Sequence, residues 1–232
     1  MKNKVMAGVL NCGRYDLLRR TLLSVKFLKD LDVKFALMDN GSPQEDIEKI
    51  KREFEGFFDL NIFSKENLGI GGGINNLHAA ARSLGFEYFL MLENDWECLR
   101  YDNEWIKASV EILDNNSNIG IVKLRIENDG QYDMREGNYP HVSLRYSPWW
   151  VKPLPLFINT SKTSNNEEFH YGFVESGYSN NPHLLRLEMF EDIKMDDSVK
   201  GKGKEEEKFE ILPKKLGYMT ANLSRGVFKH IG

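Results

Sequence analysis

Apolar runs alternate with helically spaced apolar positions along the first hundred residues. Residues 5–10 form an almost uninterrupted apolar run, the pattern of a strand buried on both faces. Asn11, Cys12, Gly13, Arg14 and Tyr15 follow as a turn, with Asp16 placed as an N-cap. Leu17, Leu18, Thr21, Leu22, Val25 and Leu28 then predict an amphipathic helix to about Lys29. A second strand, 33–38, ends in Asp39-Asn40-Gly41-Ser42. Pro43 suits the first turn of the next helix, whose inner face carries Ile47, Ile50 and Phe54. A short third strand, 60–63, leads through a glycine run, Gly69 to Gly73, into a helix with Leu77, Ala80, Ala81 and Leu84, closing near Gly85. The next strand begins at Glu87 and delivers Glu93-Asn94-Asp95-Trp96.

This alternation predicts an α/β fold: a mostly parallel central sheet with right-handed crossovers and helices on its faces. Beyond Trp96 the regularity weakens. Residues 105–113 read as a helix and 119–126 as a strand. Residues 128–177, rich in Tyr, Trp, Pro and Asn, read as strand pairs and loops. Asn181-Pro182 has the form of a cap and first helical residue, predicting a short helix through Leu184, Leu185 and Leu187. Residues 196–204 read as a loop, 205–215 as a helix limited by Pro213, and 219–223 and 227–231 as closing strands. No repeat or compositional break marks a linker, so one domain, 1–232, is expected.

Composition narrows the function classes. A formal charge of -4 over 232 residues argues against a nucleic-acid binder driven by phosphate neutralisation. Two cysteines, Cys12 and Cys98, are too few for a disulfide scaffold or a thiolate zinc site, and a reducing, cytoplasmic setting is expected. No apolar stretch approaches the roughly twenty residues that span a bilayer, and 5–10 is too short for a signal sequence.

Candidate chemistry collects at the ends of the predicted strands, where ligands bind in open α/β sheets. Residues two apart on an extended strand share a side, so Glu93 and Asp95 can face one cation or polar ligand; an acidic turn is the simpler alternative. Asp39 can accept from a ribose hydroxyl or a uracil-type imide, or it can be ordinary turn chemistry. Glycines at 69, 71, 72 and 73 allow backbone amides to approach a ligand at a helix start, although no Gly-Lys-Ser/Thr closes a P-loop. One or two carboxylates suffice for Mg2+ or Mn2+, which keep water and substrate phosphates as further ligands. His230 is a further candidate ligand or a structural histidine. Glu205, Glu206 and Glu207 form either a solvated helix face or a source of a general base. Trp149 and Trp150 can be core, or one can offer a flat face to a sugar ring.

Four of these segments, in order over residues 5–99, resemble the family 2 type of GT-A glycosyltransferases. Asn11 to Leu18 is similar to the family's first loop and helix start, with Gly13 where asparagine is usual and Tyr15 where proline is. Met38-Asp39-Asn40-Gly41-Ser42 matches the second-strand signature. Asn67, Gly69, Gly72, Gly73 and Asn75 match the glycine segment. Glu93-Asn94-Asp95 falls where the family places its Asp-x-Asp, with Glu replacing the first Asp. Further on, Glu205-Glu206-Glu207 resembles the acidic catalytic helix, Glu206 being preferred over Glu207 as base, and His230 resembles the histidine that completes the metal shell. Ser179, Asn181 and Arg186 sit in a segment that recurs in some relatives.

The resemblance implies a metal-dependent, inverting transferase that moves a sugar from a UDP-, GDP- or dTDP-linked donor to a glycan or glycoconjugate hydroxyl. Residues 1–99 would be the nucleotide-sugar half and 100–232 the acceptor-binding and catalytic half. Asn11, Arg14, Asp39, Asn67, Gly69, Gly72, Gly73, Asn75 and Glu93 would contact the donor. Asp95 and His230 would hold Mn2+ or Mg2+, and Glu206 or Glu207 would take the acceptor proton. The loop 196–204 could close over the donor and exclude water. A non-catalytic glycan- or nucleotide-binding module on the same fold is the alternative. A sugar-nucleotide pyrophosphorylase would need an Arg- and Lys-containing glycine loop directly after the first strand, which Asn11-Cys12-Gly13-Arg14 does not supply.

Overall fold

A computed structural model describes residues 4–125, 159–162, 168–174, 178, 180–190, 194–195, 213, 215–223 and 226–232. The elements that position the site are β1 (Val5–Asn11), α1 (Tyr15–Val25), β2 (Lys34–Asn40), α2 (Gln44–Glu53), β3 (Leu60–Ser64), α3 (Gly69–Ser83), β4 (Tyr88–Glu93), β5 (Trp96–Cys98) and α4 (Glu104–Asn115). They are followed by β6 (Ile119–Lys123), β7 (Asn159–Lys162), β8 (Glu168–Val174), β9 (His183–Arg186), β10 (Met219–Leu223) and β11 (Phe228–His230).

Among the described residues, nine strands form one sheet in the order β3-β2-β1-β4-β9-β6-β10-β8-β7. β3, β2, β1 and β4 are parallel neighbours, whereas β9 runs antiparallel to both β4 and β6, and β8 antiparallel to β10 and β7. The expected mostly parallel sheet is present: only β8 and β9 oppose the other strands. β5 and β11 pair separately.

The apolar runs are continuous because successive residues enter different cores. Val5, Ala7 and Val9 of β1 and Tyr88, Leu90 and Leu92 of β4 join α1 and α4 on one face. Met6 and Leu10, with Phe89 and Met91, join Ile74, Leu77 and Ala81 of α3 on the other. Period two explains each assignment. At Gly8 an added Cβ would lie 2.0 Å from Phe89 Cζ, so the ring crosses a strand that carries no side chain there.

Three elements depart from the sequence expectation. α1 opens at Tyr15, because Gly13 (φ 66°) and Arg14 (φ 55°) turn the chain in left-handed conformations, and Asp16 falls in the first helical turn instead of capping it. The glycines at 71, 72 and 73 lie inside α3 and are buried, not in a loop before it. Residues 183–186 are a strand, and only Leu187–Phe190 forms a helical turn, of 3-10 type. Leu184 packs into one core and Leu185 into the other. That alternation overrides the Asn-Pro capping signal. The loop 196–204 and most of 128–177 and 205–215 lie outside the described residues.

His78 carries a pH signature. It lies wholly buried on α3, its ring 4.8 Å from that of Phe89 and 4.0 Å from that of Phe190. Neither ring nitrogen has a hydrogen-bond partner among the described residues. Burial drives its pKa well below the ordinary imidazole range, with His183 and Arg82 adding to the shift. The unfolded chain therefore takes up a proton near pH 6.5 that the folded chain refuses. Stability is full above that pH and falls as pH drops, by about 1.4 kcal/mol per unit from this residue. Urea titrations between pH 7.5 and 5 should show this slope in the wild type and lack it in His78→Leu. Equal slopes would rule the effect out.

Candidate active site at the carboxyl ends of β1, β2 and β4

The parallel register sets Asn11 beside Asp39 and Leu10 beside Glu93, so three strand ends deliver polar side chains to one rim. Asp39 is fully buried. Its Oδ2 accepts from Asn11 Nδ2 at 2.7 Å and from the Ser42 hydroxyl at 2.6 Å, and its Oδ1 from the Ser42 amide at 3.0 Å. Ser42 Oγ in turn accepts from the Gly13 amide at 2.7 Å. One carboxylate thus ties the loop after β1 to the loop after β2.

The second loop is clamped to α3 in a similar way. Asn40 Oδ1 accepts from the Leu68 amide at 2.9 Å, and its Nδ2 donates to the Gly69 carbonyl at 2.9 Å and to Asn67 Oδ1 at 3.2 Å. At Gly41 (φ 83°) a Cβ would sit 2.7 Å from the Asn67 nitrogen, so these backbones touch. At Gly73 a Cβ would meet Leu10 Cδ1 at 2.4 Å, which brings the start of α3 down onto β1. Gly72 is buried in the same first turns. Asn75 points elsewhere: its side chain makes hydrogen bonds of 3.0 and 2.9 Å with the backbone carbonyl and amide of Met195.

At β4 the extended alternation stops at Glu93, and Asn94-Asp95 is a turn into β5, so the same-side argument for Glu93 and Asp95 does not extend across it. β5 is fastened to α1, with the Trp96 amide donating to Thr21 Oγ1 and the Cys98 amide to Ser24 Oγ. Asn94 is buried, and its Nδ2 donates to Asn11 Oδ1 at 2.8 Å and to the Gly13 carbonyl at 3.1 Å. Its Oδ1 accepts from Arg14 Nη2 at 2.7 Å, while Arg14 Nη1 lies 2.9 Å from Asp95 Oδ2. Asp95 is buried and lies 3.4 Å from His230 Nε2 through the same oxygen. The pairing of His230 with Trp96 across β5 and β11, and the Ile231 amide donating to the Asp95 carbonyl at 2.9 Å, hold that histidine in place.

A continuous chain of hydrogen bonds and close charged contacts therefore runs Asp39, Asn11, Asn94, Arg14, Asp95, His230. It unites five residues singled out in the sequence and adds Asn94, with Ser42 and Asn40 beside it. A neutral residue between two acids, buried at a strand end, was the available signal for Asn94. Among the described residues no group of three His, Cys, Asp or Glu side chains is placed to hold a metal. Asp95 with His230 still fits a hard divalent cation, since Mg2+ and Mn2+ use few protein ligands and complete their shell with water and phosphate. Cys98 offers no thiolate chemistry: burial pushes its pKa up to about 12. Glu205, Glu206, Glu207, Ser179, Trp149 and Trp150 lie outside the described residues.

Arg186 sits at the other end of β4, beside Tyr88, where its guanidinium donates to the carbonyls of Leu113, Asn116 and Ile119. It closes the end of α4, away from the rim. An open groove of about 780 Å³ lies at that amino end, between Arg82, Tyr88, Arg186 and Lys194.

A sheet whose carboxyl ends gather a buried polar network and a buried carboxylate paired with an arginine belongs to the ligand-binding α/β class. The family model "Glycosyl transferase family 2" matches residues 8–179, and the chain belongs to that family. No curated protein matches its sequence. Among solved structures it is similar to S. aureus TarS residues 1–349, at 13% identity and TM-score 0.65, covering 98% of this chain and 60% of that one. It is also similar to GalNAc-T7 with UDP, GalNAc and Mn2+, at 10% identity and TM-score 0.67, covering 99% and 44%. A third is the mannosyltransferase PcManGT from Pyrobaculum calidifontis with GDP-Man and Mn2+, at 13% identity and TM-score 0.62, covering 94% and 53%. The chain spans between about two fifths and three fifths of these three structures' lengths. The GT-A fold expected from the sequence is the fold observed.

Proposed function

We propose that this domain transfers a sugar from a nucleotide-diphosphate donor to an acceptor hydroxyl, with inversion and with Mn2+ or Mg2+ as cofactor. The observation that carries this reading is the chain from Asp39 to His230 at the strand carboxyl ends of a family 2 domain. Similar folds bound to UDP-GlcNAc and to GDP-Man with Mn2+ support the donor class and the cation. Residues 1–99 hold the donor and 100–232 complete the acceptor and catalytic side. This reading sets the domain in the cytoplasm, where the free thiols of Cys12 and Cys98 would stay reduced; among the described residues no helix is long and apolar enough to cross a membrane.

In this reading the loops anchored by Asp39, with Asn67 and the start of α3, surround the nucleoside. Asp95 and His230 would hold the cation, which would supply positive charge against the departing diphosphate. Glu93 at the end of β4 orients the ribose or donor sugar. Glu206 or Glu207 takes the acceptor proton as that oxygen bonds to the anomeric carbon. The carbon–phosphate-oxygen bond breaks, and the nucleoside diphosphate leaves with the electron pair. A panel of UDP-, GDP- and dTDP-sugars, with both cations and a glycan acceptor array, tests this. Release of a nucleoside diphosphate that depends on acceptor supports it. Nucleotide binding without turnover anywhere on the panel would establish a binding module instead.

A further inference from the structure

The geometry points to Arg14 as a resident cation of the Asp95 carboxylate, one that the donor's divalent ion must displace before it can bind. This rests on the reading that Asp95 holds that ion. A cation shared by Asp95 and His230 would sit against Asp95 Oδ2, the oxygen 3.4 Å from His230 Nε2. Arg14 Nη1 already occupies that oxygen at 2.9 Å. Two cations at contact distance repel, so the guanidinium and a divalent ion compete for one place.

Arg14 is held there by local construction. It is a non-glycine residue at φ 55°, ψ 47°, a left-handed conformation that follows Gly13 at φ 66° and points the side chain back across the strand ends. Its second nitrogen is fixed 2.7 Å from Asn94 Oδ1. Asn94 is immobilised by Asn11 and by the Gly13 carbonyl. One planar fork thus spans Asn94 and Asp95, a geometry that a lysine could not reproduce. The Arg14 side chain is nevertheless 53% exposed, against 9% for Asp95. It can leave the carboxylate for solvent without breaking a core, and the displaced guanidinium becomes available to the donor diphosphate beside it. Metal affinity is accordingly weak in the nucleotide-free protein and rises when the diphosphate draws Arg14 away.

Mn2+ binding, followed by the loss of the free-ion electron paramagnetic resonance signal, tests this without reference to turnover. In nucleotide-free protein, Arg14→Ala should bind Mn2+ about tenfold more tightly than wild type, the scale of one charge-assisted contact removed. Arg14→Lys should fall between them. Asp95→Asn should lose the ion in both backgrounds. Addition of UDP or GDP should narrow the gap between wild type and Arg14→Ala. Equal or weaker binding by Arg14→Ala, with binding still abolished by Asp95→Asn, overturns the Arg14 proposal and leaves the metal site standing. Binding undiminished in Asp95→Asn, or no binding by any form with or without nucleotide, overturns the metal reading and this inference with it.

Discussion

Asp95→Ala protein is expected to turn over its donor at least about a thousandfold more slowly than wild type, through kcat, with KM for the acceptor little changed. Three features concentrate the effect on this carboxylate. It is buried, it lies against both Arg14 and His230, and its backbone carbonyl is tied to Ile231. On the proposed mechanism this carboxylate is fixed in place before the reaction, where it would contribute most to holding a cation against the leaving diphosphate. Removing it leaves two basic groups facing each other and no anchor for the ion. The side chain lies at the rim of the sheet, outside the two apolar cores, so the loss should appear in kinetics with little change in melting temperature. A kcat within about tenfold of wild type would remove Asp95 from the chemistry.

Asp39→Ala should have the largest effect on stability, a loss of about 2–4 kcal/mol in urea unfolding with an unchanged m-value. The carboxylate is completely buried and receives three hydrogen bonds, from Asn11 Nδ2, the Ser42 hydroxyl and the Ser42 amide. Alanine takes the shared acceptor from a buried Asn11 amide, left with only Ser42 Oγ at 3.1 Å, and from the partly buried Ser42 amide and hydroxyl. Lost acceptors at buried donors are what make such substitutions expensive. The loops after β1 and β2 lose their common anchor, so nucleotide affinity should fall together with stability. Ser42→Ala, which removes a hydroxyl and leaves the carboxylate paired with Asn11, should cost about 1 kcal/mol. An Asp39→Ala protein as stable as wild type would mean that this carboxylate does not organise the loops.

Much of this was legible along the chain because β1, β2 and β4 are buried on both faces, so their apolar runs have no other reading. The strand ends followed directly, and with them Asp39 and Asp95, whereas Asn11 read as a turn residue until the family resemblance marked it. Local signals failed where the backbone departs from a regular period. The left-handed Gly13-Arg14 pair starts α1 at Tyr15, which no capping rule at Asp16 could show. Asn181-Pro182 imitates a helix start, yet Leu184 and Leu185 enter opposite cores as strand residues. Asn75 lies within the glycine segment but is engaged by the Met195 backbone, a contact distant in sequence. Asn94 stayed hidden because its neighbours carry the charge, although it is the residue that links the loop after β1 to Arg14. The approach of His230 to Asp95 depends on the pairing of β5 with β11, again distant in sequence, so the residues alone left it open between a ligand and a structural histidine.

The central claim is that the rim joining Asp39 to Asp95 is the donor site. Its most direct test is an NMR titration of wild-type protein with UDP, GDP and dTDP in the presence of Mg2+. The side-chain amides of Asn11 and Asn94 and the backbone amide of Gly13 should shift with one of these nucleotides, saturating together. Shifts confined to the groove around Arg82, Arg186 and Lys194 at the opposite end of β4, with Asn11 and Asn94 unmoved, would contradict it.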